Sequence, residues 1–107
     1  MKRGELYWVA SFKDFGKVRP AVVVQADAFN ENPTSVTVCL LTGERVDAPL
    51  FRLDVPADTE TGLDKPSQIM ADKLITVPVA RIKEPIGKIP ARTLSKLDDS
   101  LRLGRSL

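Results

Sequence analysis

The chain of 107 residues has no histidine, one cysteine and six scattered glycines. Without histidine it lacks the commonest general base and the commonest metal ligand. Ser-His-Asp and Cys-His nucleophilic arrangements are therefore excluded. A zinc site would need Cys39 and carboxylates alone, a poor donor set. With Cys39 alone no internal disulfide can form, which fits a reducing cytoplasm. The glycines form no phosphate-cradling loop. No apolar run approaches the roughly 20 residues of a bilayer span, and Met1-Lys2-Arg3-Gly4-Glu5 lacks the apolar stretch of a signal peptide. Neither a membrane contact nor a leader is expected.

What is present suits a single domain over residues 1–107. Hydrophobic residues make up 43% and charged residues 28%, enough for a core in an ordinary water-soluble protein. A domain this small leaves much surface uncovered, so a homodimer is expected. Net charge is only +2, but it is unevenly spread. Residues 44–72 carry seven acids and three bases, a net of −4, and residues 73–107 carry eight bases and three acids, a net of +5. A basic face apart from an acidic segment is one reading, and ordinary solvated faces are the other.

Alternating apolar residues predict a strand from Leu6 to Phe12, then a loop over 13–18, a strand from Val18 to Gln25 and a turn over 27–34. Further strands are expected over Ser35–Leu41, Leu50–Val55, Ser67–Lys73 and Ile86–Ile89, with an acidic loop over 57–66. Thr76 is expected to cap a short helix with Pro78 in its first turn. Pro90 should open a C-terminal helix with Leu94, Leu97 and Leu101 on one stripe and Gly104 as terminator. Strands in succession followed by one helix, with no β-α-β alternation, give a mainly β fold: a small antiparallel barrel with an appended helix.

The most informative stretch is Arg19-Pro20-Ala21-Val22-Val23-Val24. Proline fixes φ and lacks an N–H, so it suits the first residues of a strand. The residue before it is pushed into an extended conformation. Arg19 is thus placed at a rigid strand entrance, where a five-donor guanidinium can grip a phosphate. An ion pair at the rim of the core is the structural alternative. Trp8, Phe12, Phe29, Phe51 and Cys39 are assigned to packing.

The chain resembles the MazF/PemK toxin family along nearly its whole length. Lys2-Arg3-Gly4-Glu5-Leu6-Tyr7-Trp8-Val9 is similar to that family's opening, and Arg19 to Val24 to its most recognisable motif. Asp27-Ala28-Phe29-Asn30, Leu40-Leu41-Thr42, Lys65-Pro66-Ser67, Asp72 to Val77 and Ile86-Gly87-Lys88-Ile89 follow in the family's order. The resemblance implies an SH3-like barrel of the CcdB/MazF type with a C-terminal helix, usually dimeric. It implies a type II toxin: a metal-independent, sequence-specific endoribonuclease without cofactors that cuts single-stranded mRNA. The ribose 2′-OH attacks, leaving 2′,3′-cyclic phosphate and 5′-OH ends. A cognate antitoxin blocks the RNA channel, and operator DNA is contacted only through that antitoxin.

The family's catalytic pair maps onto Arg19 and Thr42. Such donors suit the charge that builds up on a phosphorane-like transition state. RNA brings its own nucleophile, so the lack of histidine is no obstacle to this chemistry. The 2′-OH proton goes to water, to Asp14 or to a perturbed Arg19. Lys13, Lys17 and Lys73 are candidate phosphate contacts, and Phe15 is a candidate base-stacking platform. Asp14 paired with a lysine, Phe15 folded onto the core and Thr42 capping the turn at Gly43 are the structural alternatives. The loop over 13–17 is shorter than the family's and lacks its Gly-Ser-Glu-Gln run, and Lys73 stands in place of a usual glutamine. Two other functions fit the same fold: a CcdB-like gyrase inhibitor, and a non-catalytic RNA-binding remnant of a toxin.

Overall fold

The computed structural model describes residues 1–10, 17–25, 34–48 and 50–105. Six strands precede one helix: β1 (Glu5–Ala10), β2 (Val18–Val23), β3 (Ser35–Thr42), β4 (Arg52–Val55), β5 (Ser67–Pro78), β6 (Ile82–Lys88) and α1 (Ala91–Arg105). They form one antiparallel sheet in the order β4-β5-β3-β2-β1-β6. The mainly β class with a C-terminal helix is as expected. The hydrogen-bonded ladder does not close into the expected barrel, because β4 and β6 stand at opposite edges.

A loop bridges the gap instead. Lys88 N–H donates to the Glu60 carbonyl at 3.1 Å. A Cβ on Gly87 would lie 2.4 Å from the Thr61 carbonyl oxygen, and one on Gly62 would lie 2.2 Å from that of Ile86. Only glycines let these two backbones approach so closely, and Gly62 also holds φ at +71°. Buried Thr61 fixes the loop from inside. Its hydroxyl donates to the Pro56 carbonyl at 2.8 Å and accepts from Asp58 N–H at 3.2 Å. Asp58 returns the bond, accepting from Thr61 N–H at 2.9 Å.

Because side chains alternate along a strand, the sheet is apolar on both faces. Leu6, Val22, Cys39, Leu41 and Ile69 pack on one face with Leu63 of the loop and Leu97 of α1. Val9, Ala21, Val23, Val36, Val38 and Leu40 pack on the other with Met70 and Val77. The stripe of Leu94, Leu97 and Leu101 docks as its spacing predicts. Arg3 and Asp98 form an ion pair that ties the N-terminal segment to α1.

Two local expectations are overturned. Thr76 caps no helix: β5 runs on to Pro78, and Ser35 to Cys39 of β3 pair with Leu74 to Pro78. Ile75, Thr76 and Val77 are strand formers, and the Thr76 hydroxyl meets that of Thr37 across the ladder at 2.8 Å. Only a single 3-10 turn, Val79–Arg81, follows. Gly104 does not end α1, which continues to Arg105. β6 is also longer than expected and contains Pro85. As an edge strand it needs no N–H there. Among the described residues no helix is long and apolar enough to cross a membrane.

Candidate active site

The ladder between β2 and β3 has three rungs, Val23↔Val38, Val22↔Cys39 and Ala21↔Leu40. It stops where Pro20 offers no N–H. Two residues beyond the last rung stand Arg19 on β2 and Thr42 on β3, which the register would place opposite each other. Both line one open cavity of about 220 Å³. Buried Leu41 and Leu63 form its apolar wall, and Trp8, across from Pro20 on β1, forms part of another.

Thr42 is held by its own turn. Its hydroxyl oxygen accepts from Glu44 N–H at 3.1 Å. A hydroxyl has one proton and two lone pairs, so this bond leaves the proton for a ligand. The turn-capping role and the catalytic role are thus compatible. Farther along, buried Gln68 clamps the same segment. Its side-chain oxygen accepts from Val46 N–H at 3.0 Å, and its Nε2 donates to the Val46 carbonyl at 3.1 Å. The Gln68 backbone pairs with Thr42. One residue therefore fixes the segment that carries both Thr42 and Arg45.

The bridging loop brings Asp64 and Lys65 to the opposite wall. The Lys65 stem passes over Gly43, where a Cβ would lie 2.7 Å from Cε and 2.8 Å from Nζ. The Ser67 hydroxyl donates to the Lys65 carbonyl at 3.1 Å and steadies that backbone. Among the described residues the cavity thus presents two cations, Arg19 and Lys65, with one carboxylate, Asp64.

The structure brings Arg19 and Thr42 to one cavity. Lys17 is exposed just before β2, and Lys73 is exposed on β5. Neither lines this cavity. Lys13, Asp14 and Phe15 lie outside the described residues. Sequence reasoning missed three wall residues. Trp8 reads from the sequence as a packing residue, and Asp64 and Lys65 sit in a loop whose path no local pattern discloses. Cys39 is buried in the sheet, and burial, with nearby Asp72 adding repulsion, pushes its thiol from 9.0 up to about 12. It is no nucleophile at neutral pH.

Residues 2–104 match the family described as PemK-like, MazF-like toxin of type II toxin-antitoxin system. The chain belongs to the PemK/MazF-like toxin family. A probable endoribonuclease MazF of Mycolicibacterium smegmatis is 34% identical over 102 residues, spanning 94% of this chain and 93% of that protein. The Mycobacterium tuberculosis toxin MazF-mt6 shares the fold with a TM-score of 0.82 at 22% identity, over 96% of this chain and 97% of that one. An endoribonuclease from a mycobacterial species, solved with its cognate antitoxin, aligns with a TM-score of 0.79 at 22% identity, over 100% of this chain and 96% of that one.

Proposed function

We propose that this PemK/MazF-like toxin is an endoribonuclease that cuts single-stranded RNA, mRNA included, in the Arg19–Thr42 cleft. One observation carries the reading: a guanidinium and a threonine hydroxyl line the same open cavity where two core strands part. In the reaction the 2′-oxygen forms a bond to the adjacent phosphorus and gives up its proton. The bond from phosphorus to the 5′-oxygen breaks, and that oxygen takes up a proton. The products are a 2′,3′-cyclic phosphate and a 5′-OH.

Negative charge grows on the non-bridging oxygens as the new bond forms. The Arg19 fork and the free Thr42 proton are donors fixed in advance, the arrangement that stabilises such charge most strongly. Lys65 adds a point charge at the rim. Among the described residues Asp64 is the carboxylate that lines the cleft, and in this reading it takes up the 2′-OH proton, while Trp8 offers a face for a base. Lys13, Asp14, Phe15, Lys17 and Lys73 are assigned to RNA binding. A cognate antitoxin holds the toxin in check, the active form is a homodimer, and its place is the cytoplasm, where mRNA is found.

The test is incubation of purified protein with long single-stranded RNA in EDTA, followed by mapping of the ends. Discrete cuts with 5′-OH termini, lost in folded Arg19→Ala, support the reading. Intact RNA overturns it, and trapped gyrase–DNA complexes would then assign the fold to gyrase inhibition.

A further inference from the structure

A second groove opens beside the cleft, between β4 and the first turns of α1, with a volume of about 890 Å³. Among the described residues Arg45, Arg52, Arg92 and Lys96 line it, with Asp54 as the one carboxylate. Ser67 belongs to the walls of both cavities, so the groove lies directly beside the cleft. We propose that this groove holds the stretch of RNA that runs out of the cleft, gripping its phosphates through these four cations. The inference rests on the cleft being the site of RNA cleavage.

Three features favour a phosphate chain. First, the cations are unspent. Among the described residues none of the four is in an ion pair, whereas the far half of α1 is paired through Asp98 to Arg3 and through Asp99 to Arg102. Asp54, the lone carboxylate among the described lining residues, accepts from Gln68 Nε2 at 3.1 Å and leaves the four cations in excess. Second, α1 has no acid in its first turn, and Arg92 stands there instead. A cation at that end opposes the helix dipole, a cost that an anionic ligand removes. Third, residues 44–72 are acidic overall, with seven acids and only three bases. Yet all three bases face these two cavities, Arg45 and Arg52 in the groove and Lys65 in the cleft, while only Asp54 and Asp64 of the acids do.

The segment's few positive charges are thus gathered where a strand would lie. Adjacency to the cleft, with Ser67 in both walls, favours RNA over an acidic polypeptide. Gripping backbone phosphates confers affinity without sequence preference.

The probe is a labelled single-stranded DNA, which lacks the 2′-OH and is not cut. Strands of about 16 and about 4 nucleotides span the range of single-strand site sizes. Binding is titrated against salt for the wild type and for Arg92→Gln/Lys96→Gln. Both residues are exposed on α1, and unchanged thermal melting verifies the fold. Each lost phosphate contact on a single strand lowers the salt slope by roughly 0.7. The double variant should lose about 1.4 from its slope on the long strand and nothing on the short one. Arg45→Gln, away from the helix, should lose about 0.7 in the same way. Unchanged slopes overturn the proposal. So does unchanged strand binding together with weaker inhibition by an acidic antitoxin segment, which would give the groove to a protein partner. Failure of the wild type to cut RNA would instead overturn the reading of the cleft and leave the slopes to judge the groove.

Discussion

Strands β2 and β3 serve two purposes within a few residues. Over three rungs, from Val23↔Val38 to Ala21↔Leu40, both are fully paired and sealed into core on either face. Just beyond, the pairing stops and Arg19 and Thr42 line an open cavity. The two stretches share strands and direction. They differ because Pro20 cannot donate and because Arg19 cannot be buried cheaply among apolar neighbours. A cleft built this way inherits its rigidity from the rungs beside it, so its donors are fixed before a substrate arrives.

Variants on either side of that boundary should fail in opposite ways. Past the rungs, Arg19→Ala should leave the unfolding midpoint nearly unchanged and slow cleavage by about 10²–10³, the usual loss for one transition-state donor. Single-turnover rates and a denaturant titration measure both. Across the cleft, Asp64→Asn should slow cleavage by about 10² if this carboxylate takes the 2′-OH proton. An unchanged rate would hand that step to water or to Asp14. Among the rungs, Val38→Ala should cost about 2–3 kcal/mol of stability through lost burial and the cavity left behind. Cleavage per folded molecule should not change. A rate loss exceeding its stability loss would break the distinction between the two stretches.

The smallest effect lies in the middle rung. The Cys39 thiol ionises near 9.0 in the unfolded chain and at about 12 in the folded one. Below pH 9 both states keep the proton. Between about pH 9 and 12 only the unfolded chain loses it, so stability should fall across that window. Cys39→Ala, compared by denaturant titration at each pH, should lack this part of the decline.

The sequence disclosed whatever depends on neighbours in the chain. Arg19-Pro20 marks the strand entrance, the alternation in β3 marks the wall that ends at Thr42, and three leucines mark the docking face of α1. What it hid depends on pairing at a distance. Thr76 reads as a helix cap until Thr37 lies opposite it. Gly104 reads as a terminator, yet the helix passes through it. The barrel expected from strand count is an open sheet because a glycine-bearing loop occupies the gap between β4 and β6. That loop also supplies Asp64 and Lys65, which is why two of the groups in the cleft went unread.

The most direct measurement is a double-mutant cycle on single-turnover cleavage, with Arg19→Ala, Thr42→Val and the two combined. If the guanidinium and the hydroxyl grip one phosphate, removal of the first leaves the second little to act on. The combined variant should then fall within about threefold of Arg19→Ala alone, as groups acting as a unit do. Losses that multiply in full would mean that the two side chains work at separate places and would contradict the account.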